Sequence, residues 1–181
     1  MEALDYGQGG DDESPHDVRF KGEVLGEPAH PMIVSLVALW RTKCAEGQLP
    51  QRADFSMRDL KDHLPSLIFA EPVDGGADYL FRYCGSRMES RFGFRLQGRT
   101  LLGTFAPPGG TDYLARYQHA ARTGAPFFRR GRYEGTPSEC FDYELTLLPL
   151  RPPEGGEGNW IMAAQFEYAP GKTPRTPQAG D

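Results

Sequence analysis

The densest run of reactive side-chain types in this chain is Phe127-Phe128-Arg129-Arg130-Gly131-Arg132-Tyr133. Interleaved basic and aromatic residues can hold single-stranded nucleic acid by stacking and phosphate contact. In an extended segment, however, alternation sends Phe127, Arg129 and Tyr133 to one side and Phe128, Arg130 and Arg132 to the other. The patch is therefore divided, and Arg129 becomes the arginine able to enter an interior between two aromatics and meet an anionic ligand. The commoner fate of such a residue is solvation, or pairing with Glu134, Asp142 or Glu144 across a sheet. The glycine-rich stretch from Gly103 to Gly110 precedes a helical pattern, whose N-terminus would favour anions. No lysine follows at P-loop spacing, and Pro107 and Pro108 remove donors, so a plain loop is expected. No Ser-His-Asp context, H-E-x-x-H or nucleophile elbow occurs, and the chain is expected not to be an enzyme.

Composition narrows the classes further. At 181 residues, 39% hydrophobic and 25% charged, the chain suits one globular domain with tails. A net charge of −5 argues against a nucleic-acid surface, which needs a concentrated basic footprint. Cys44, Cys84 and Cys140 are odd in number and widely spaced, so neither a disulfide framework nor a metal site is indicated. The acidic start shows no signal-peptide pattern, and the longest apolar run, Met32–Trp40, is too short to span a bilayer. A cytoplasmic setting without a membrane partner is expected.

Positioning these residues requires a scaffold, and the pattern supplies one. Residues 1–30 and 169–181 are rich in Gly, Pro and charge, and are expected to be disordered tails around a folded unit at 31–168. Ile33, Leu36, Val37, Trp40 and Cys44 mark an amphipathic leading helix within 31–46, stopped by Gly47 and Pro50. A second short helix is expected from Asp54 or Ser56 to Pro65, and another over 86–92 that breaks at Gly93. The strongest later helix is Thr111–Thr123, closed by Gly124.

Five strands are expected: Leu67–Val73 and Tyr79–Cys84 as a hairpin, then Phe127–Glu134, Cys140–Leu150 and Trp160–Tyr168. Alternation groups Phe81 with Tyr83, Tyr143 with Leu145 and Leu147, and Trp160 with Met162 and Phe166. Arg82, Asp142, Glu144, Thr146, Gln165 and Glu167 fall opposite. The expected fold is α+β: one five-stranded antiparallel sheet, helices on one face, water on the other.

This order resembles the PAS fold, and in its first half a largely uncharacterised family of small, often stand-alone alphaproteobacterial PAS proteins. The resemblance rests on Trp40, Pro50-Gln51-Arg52-Ala53-Asp54, Leu64-Pro65-Ser66-Leu67, Phe81-Arg82-Tyr83-Cys84-Gly85 and the segment from Arg91 to Leu101. It departs from that family's pattern at Met57 and at Cys84-Gly85-Ser86. The resemblance implies a sensory or regulatory role through a small ligand or a protein partner in trans, and a homodimer joined through flanking helices. The leading helix is expected either to dock on the sheet of its own domain or to meet its equivalent in a dimer, with Ile33, Val34, Leu36, Val37 and Trp40 then the dimer surface.

Two cofactors known from PAS proteins are disfavoured. Haem would need an axial histidine, but His119 falls about 200° around the helix from Tyr117, on the polar face with Asp112, Arg116 and Arg122. A covalent flavin would need a cysteine in the helix at 86–92, which has none; Cys84 and Cys140 lie on strands. The expected ligand lining is Phe81, Tyr83, Tyr117, Arg129, Tyr133, Tyr143, Leu145, Trp160 and Met162, although the same aromatics would serve a closed core in a pure interaction adaptor.

Overall fold

The computed structural model describes residues 21–45, 47–134 and 140–174. Six strands form one antiparallel sheet: β1 (Lys21–Leu25), β2 (Leu67–Val73), β3 (Asp78–Cys84), β4 (Phe127–Glu134), β5 (Cys140–Leu150) and β6 (Trp160–Glu167). Their spatial order is β1-β4-β5-β6-β2-β3. The helices are α1 (Pro31–Lys43), α2 (Met57–Leu60), α3 (Ser86–Phe92), α4 (Leu101–Thr104) and α5 (Gly109–Thr123).

Local chemistry fixes the helix ends. Pro31 opens α1, and the His30 ring caps it by accepting from Met32 N–H through Nδ1 at 3.2 Å. Ser56 and Asp59 form a capping box around α2. Gly93 and Gly124 close α3 and α5 in the left-handed conformation that a side chain would oppose. Helical spacing over 111–123 predicts a core stripe of Leu114, Tyr117 and Ala121, whereas the structure buries Tyr113, Tyr117 and Ala120, with Leu114 and Ala121 partly buried beside them.

The sheet is buried on both faces, not one. α3, α4 and α5 cover one face, packing on Ile68, Ala70, Phe81, Tyr143, Leu145, Leu147, Ile161 and Ala163. α1 covers the other through Ile33, Leu36, Val37 and Trp40, which meet Phe69, Leu148, Met162, Ala164 and Phe166. Trp40 Nε1–H also donates to the Pro149 carbonyl at 2.9 Å. The expectation of a wet outer face fails because the apolar sets of β5 and β6 are out of phase. Leu145 pairs with Gln165 and Leu148 with Met162, so the odd-numbered apolar set of β5 faces α5 while the even-numbered set of β6 faces α1.

A bulge produces a second correction. Phe69 pairs with Tyr83 but Ala70 pairs with Phe81, leaving Arg82 as the extra residue. Phe81 and Tyr83, expected on one face, therefore lie on opposite faces. Glu144 and Thr146, expected in water, are fully buried.

The sixth strand falls where sequence predicted a disordered tail. β1 pairs with β4 along its length, from Lys21 opposite Arg132 to Leu25 opposite Phe128. After it, Glu144 Oε1 accepts from the backbone N–H groups of Ala29 (2.8 Å) and His30 (3.1 Å), and its Oε2 from the Tyr168 hydroxyl. On the C-terminal side Thr173 donates to Asp142 at 2.6 Å and Arg130 to the Pro174 carbonyl at 3.0 Å. Residues 1–20, the expected turn at 135–137 and residues 175–181 lie outside the described residues.

Candidate ligand site

Between the sheet and α3–α5 lies a cavity of about 30 Å³. Its floor is Ile68, Phe81, Leu145, Ala163 and Gln165; its walls are Met88, Phe92, Leu101, Phe105, Tyr113 and Tyr117. Short-range hydrogen bonds bring these walls in. Glu89 accepts from the N–H groups of Leu96 (3.1 Å) and Gln97 (3.4 Å), closing the loop after α3. Asp78 accepts from Leu102 N–H at 3.1 Å, and Thr100 caps α4 by accepting from Gly103 N–H. The Arg99 carbonyl and Gly98 N–H bond to Phe81, so Leu101 and Phe105 are carried over the cavity.

The lining is almost wholly apolar, and its titratable groups are held neutral. Burial pushes the hydroxyls of Tyr113 and Tyr117 well above the ordinary tyrosine value. Nearby Tyr79 and Cys84 are both pushed up to about 12 by burial. Gln165 is the exception in this wall. It is 2% exposed and is the amide among the residues that line the cavity.

Of the residues expected to line a site, Phe81, Tyr117 and Leu145 do so. Tyr143 is buried in the same core and Tyr133 packs partly buried against it. Arg129 is 4% exposed and sits opposite Leu145 on β4. Tyr83, Trp160 and Met162 belong to the α1 face and cannot reach the cavity. In the expected dimer stripe, Ile33, Leu36, Val37 and Trp40 are buried against the chain's own sheet, leaving Val34 exposed. A dimer through that stripe would require α1 to leave the sheet.

The sequence reading missed Met88, Phe92, Leu101, Phe105, Tyr113 and Gln165. Leu101 and Phe105 were hidden in a segment whose only helix is a four-residue turn. Tyr113 was displaced by the one-residue shift in the α5 stripe. Gln165 was assigned to water because polarity was read as exposure.

Elsewhere, an open groove of about 760 Å³ runs between the β2–β3 turn, α5 and the β5–β6 loop. Gln118 and Asn159 spend their amides on the carbonyls of Gly76 and Ala121 there. His119 is exposed on α5. Among the described residues no His, Cys, Asp and Glu group is arranged to hold a metal ion, and no helix is long and apolar enough to cross a membrane.

A central antiparallel sheet, with a short-helix segment and one long helix closing a cavity on its inner face, is the architecture of a single-sheet α+β sensor domain. The sequence signature of the PAS domain matches residues 29–161, and the chain belongs to that family. No curated protein matches the sequence. Among solved structures, a cysteine-to-serine mutant of Vivid is 15% identical, with 76% of this chain and all (100%) of that one covered at a TM-score of 0.44. Photo-excited Vivid, a blue-light photoreceptor described as fungal, is 16% identical over 77% of this chain and 96% of that one, at 0.45. An RNA-binding light-oxygen-voltage receptor is 16% identical over 82% of this chain and 39% of that one, at 0.42.

Proposed function

We propose that this chain is a non-enzymatic PAS sensory module. Its input is a compact, largely apolar ligand carrying at least one hydrogen-bonding group, taken up between the sheet and α5. Its output is a change in the seating of α1 on the opposite face, read by a protein partner. The observation that carries this reading is Gln165, an amide 2% exposed in an almost wholly apolar wall, where a ligand with a hydrogen-bonding group would find a polar counterpart.

The cavity is about 30 Å³, close to the share of one water in the liquid, about 30 Å³. Uptake of anything larger displaces Phe92 or Phe105, which stack on each other at 5.2 Å. Occupancy is thereby coupled to packing, and β6 relays it, because Ala163 faces the cavity core while Met162 and Ala164 face α1.

The same small volume favours a second reading: a filled-core adaptor that works by protein contact alone. Native mass spectrometry of the purified protein, with thermal melts across a small-molecule panel, separates the two. A retained molecule or a concentration-dependent rise in melting temperature supports the sensor, because a ligand that binds only the folded state stabilises it. Uniformly unshifted melts and an unliganded mass would leave the adaptor.

A further inference from the structure

Residues 86–100, α3 and the loop after it, carry Arg87, Arg91, Arg95 and Arg99 against a single acid, Glu89. The Glu89 carboxylate accepts from Leu96 and Gln97 N–H and pairs with none of the four. Arg91 is spent on Glu167. Arg87 and Arg95 are exposed, and Arg99 is half-buried with its guanidinium 5.3 Å from the Phe94 ring centroid. Among the described residues none of these three meets a carboxylate, whereas Arg41, Arg82, Arg116 and Arg132 each do. Arg58, Arg122 and Arg151 are also exposed without one, but singly, on α2, on α5 and after β5. Only the α3 segment gathers such arginines in one short stretch, around the half-buried rings of Phe92 and Phe94.

The complementary charge is in the same chain. Residues 1–18 hold Glu2, Asp5, Asp11, Asp12, Glu13 and Asp17 and no lysine or arginine. They lead into β1 at Lys21, at the end of the sheet where α3 lies. Lys21 is opposite Arg132, Arg132 is opposite Asp142, and the neighbouring Phe141 lies under the Arg91 guanidinium at 4.8 Å. Two strand spacings, about 10 Å, therefore separate the start of β1 from the strand that α3 touches. An extended chain covers up to about 3.3 Å per residue, so the length from Asp12 to Lys21 does not limit the contact.

We infer that the arginine face of residues 86–100 is the docking surface for the acidic run 1–18 of the same chain, with Arg87, Arg95 and Arg99 meeting Asp11, Asp12 and Glu13. Guanidinium and carboxylate pair with matched planar geometry. Exposed pairs are weak one at a time, but here several act together, and the tether sets an effective concentration on the order of millimolar. The contact covers Phe92, a wall of the cavity under α3, so the acidic run closes this side of the domain and an acidic partner must displace it. The inference holds for a sensor and for a filled-core adaptor alike.

Trypsin reads the contact directly, because Arg95 is both a docking residue and an exposed cleavage site, while Arg122, at the far end of α5, serves as the reference site. The full chain is compared with the triple variant Asp11→Asn, Asp12→Asn, Glu13→Gln at low salt. Cleavage after Arg95 should be about threefold or more faster in the variant, the order expected of a few exposed ion pairs, with cleavage after Arg122 unchanged. Raised salt should bring the unaltered chain to the variant's rate. Arg87→Gln, on an exposed position, should speed cleavage after Arg95 in the same direction from the other side of the contact. Equal rates at low salt, or a rise shared by both sites, would overturn the inference. Protection that grows with protein concentration would assign the face to a second copy and overturn it as well. So would protection that is insensitive to the triple variant and arises only on adding polyglutamate, which would leave an acidic partner in trans.

Discussion

Arg129 and Gln165 stand on either side of Leu145, one strand away in each direction, and all three side chains point toward the helices. A charged group and an amide, each at least nine-tenths buried, thus flank Leu145 on the helix-covered face, and the amide lines a cavity whose other walls are hydrocarbon and aromatic. Polar groups in such a place are expensive to retain for stability alone.

Gln165→Leu tests the point most directly. Replacing this 2%-exposed amide with an apolar side chain of similar volume should change the unliganded stability by no more than about 1 kcal/mol. The same variant should lose response to any ligand that supplies a hydrogen bond there. Urea denaturation gives the first quantity and ligand-shifted melting the second. A loss well beyond that would mean that the amide is a structural hydrogen-bonding group of the folded protein and not one kept for a ligand.

The strands that hold this site were legible in the sequence, but the facing of their side chains was only partly so. Alternation within β5 correctly grouped Tyr143, Leu145 and Leu147 toward α5. The register between strands carries no local signature, so Trp160 and Met162 were grouped with them although they face α1. A single extra residue, Arg82, reverses Tyr83 relative to Phe81. β1 escaped notice because a five-residue edge strand of sequence KGEVL has one exposed apolar residue, Val24, and one half-buried, Leu25. Its order comes from backbone pairing with β4, a contact between residues more than a hundred positions apart.

His63 makes the stability pH-dependent. Its Nε2 lies 2.9 Å from the Ser35 hydroxyl and 3.1 Å from the Met32 carbonyl, while Nδ1 is buried without a partner. Burial lowers its pKa below the ordinary value of 6.5, with the Met32 carbonyl and the nearby Asp62 charge opposing. The folded state therefore binds this proton less readily than the unfolded chain. The contribution of neutral His63 is fully present above 6.5 and is lost as pH falls from there through the folded value. Denaturation midpoints should decline over that window, and His63→Gln should flatten this part of the profile.

Removing Trp40 should free α1. Trp40→Ala deletes a buried ring and the hydrogen bond to Pro149, which should cost about 3–5 kcal/mol. If α1 is the output element, milder Trp40→Phe should loosen it while the domain stays folded, raising hydrogen exchange in 31–43 more than in β5 or β6. Exposure of the Leu148, Met162 and Phe166 face should also raise self-association, visible by sedimentation. Uniform exchange across the chain would argue that α1 and the sheet unfold as one unit.

Glu144 ties the segment before α1 to the sheet, so it should control that segment's order. Glu144→Gln keeps the shape but removes the charge that Ala29, His30 and Tyr168 address and that Arg130 approaches at 3.9 Å. Arg130 keeps Glu23 at 3.5 Å, so the loss should be about 2 kcal/mol, the order of hydrogen bonds to a charged group. Proteolysis between Gly26 and His30 should accelerate. Unchanged cleavage would show that α1 itself anchors the segment.

Gly22 offers a way to separate β1 from the rest of the fold. A Cβ built at this position would lie 2.1 Å from the Arg130 carbonyl oxygen, a backbone atom that cannot swing aside. Gly22→Val should therefore detach β1 from β4, breaking the Glu23–Arg130 ion pair at 3.5 Å as well. Of β1, only Leu25 packs against the α1-side core, so the loss in global stability should be about 1 kcal/mol, in line with a frayed edge strand rather than a breached core. The bared edge of β4 would then present unpaired backbone groups to a second chain. Amide exchange should rise in β4 while β2, β5 and β6 remain protected, and association should increase with concentration. Intact β4 protection would mean that the two strands separate without strain, and that β1 contributes nothing to shielding the edge.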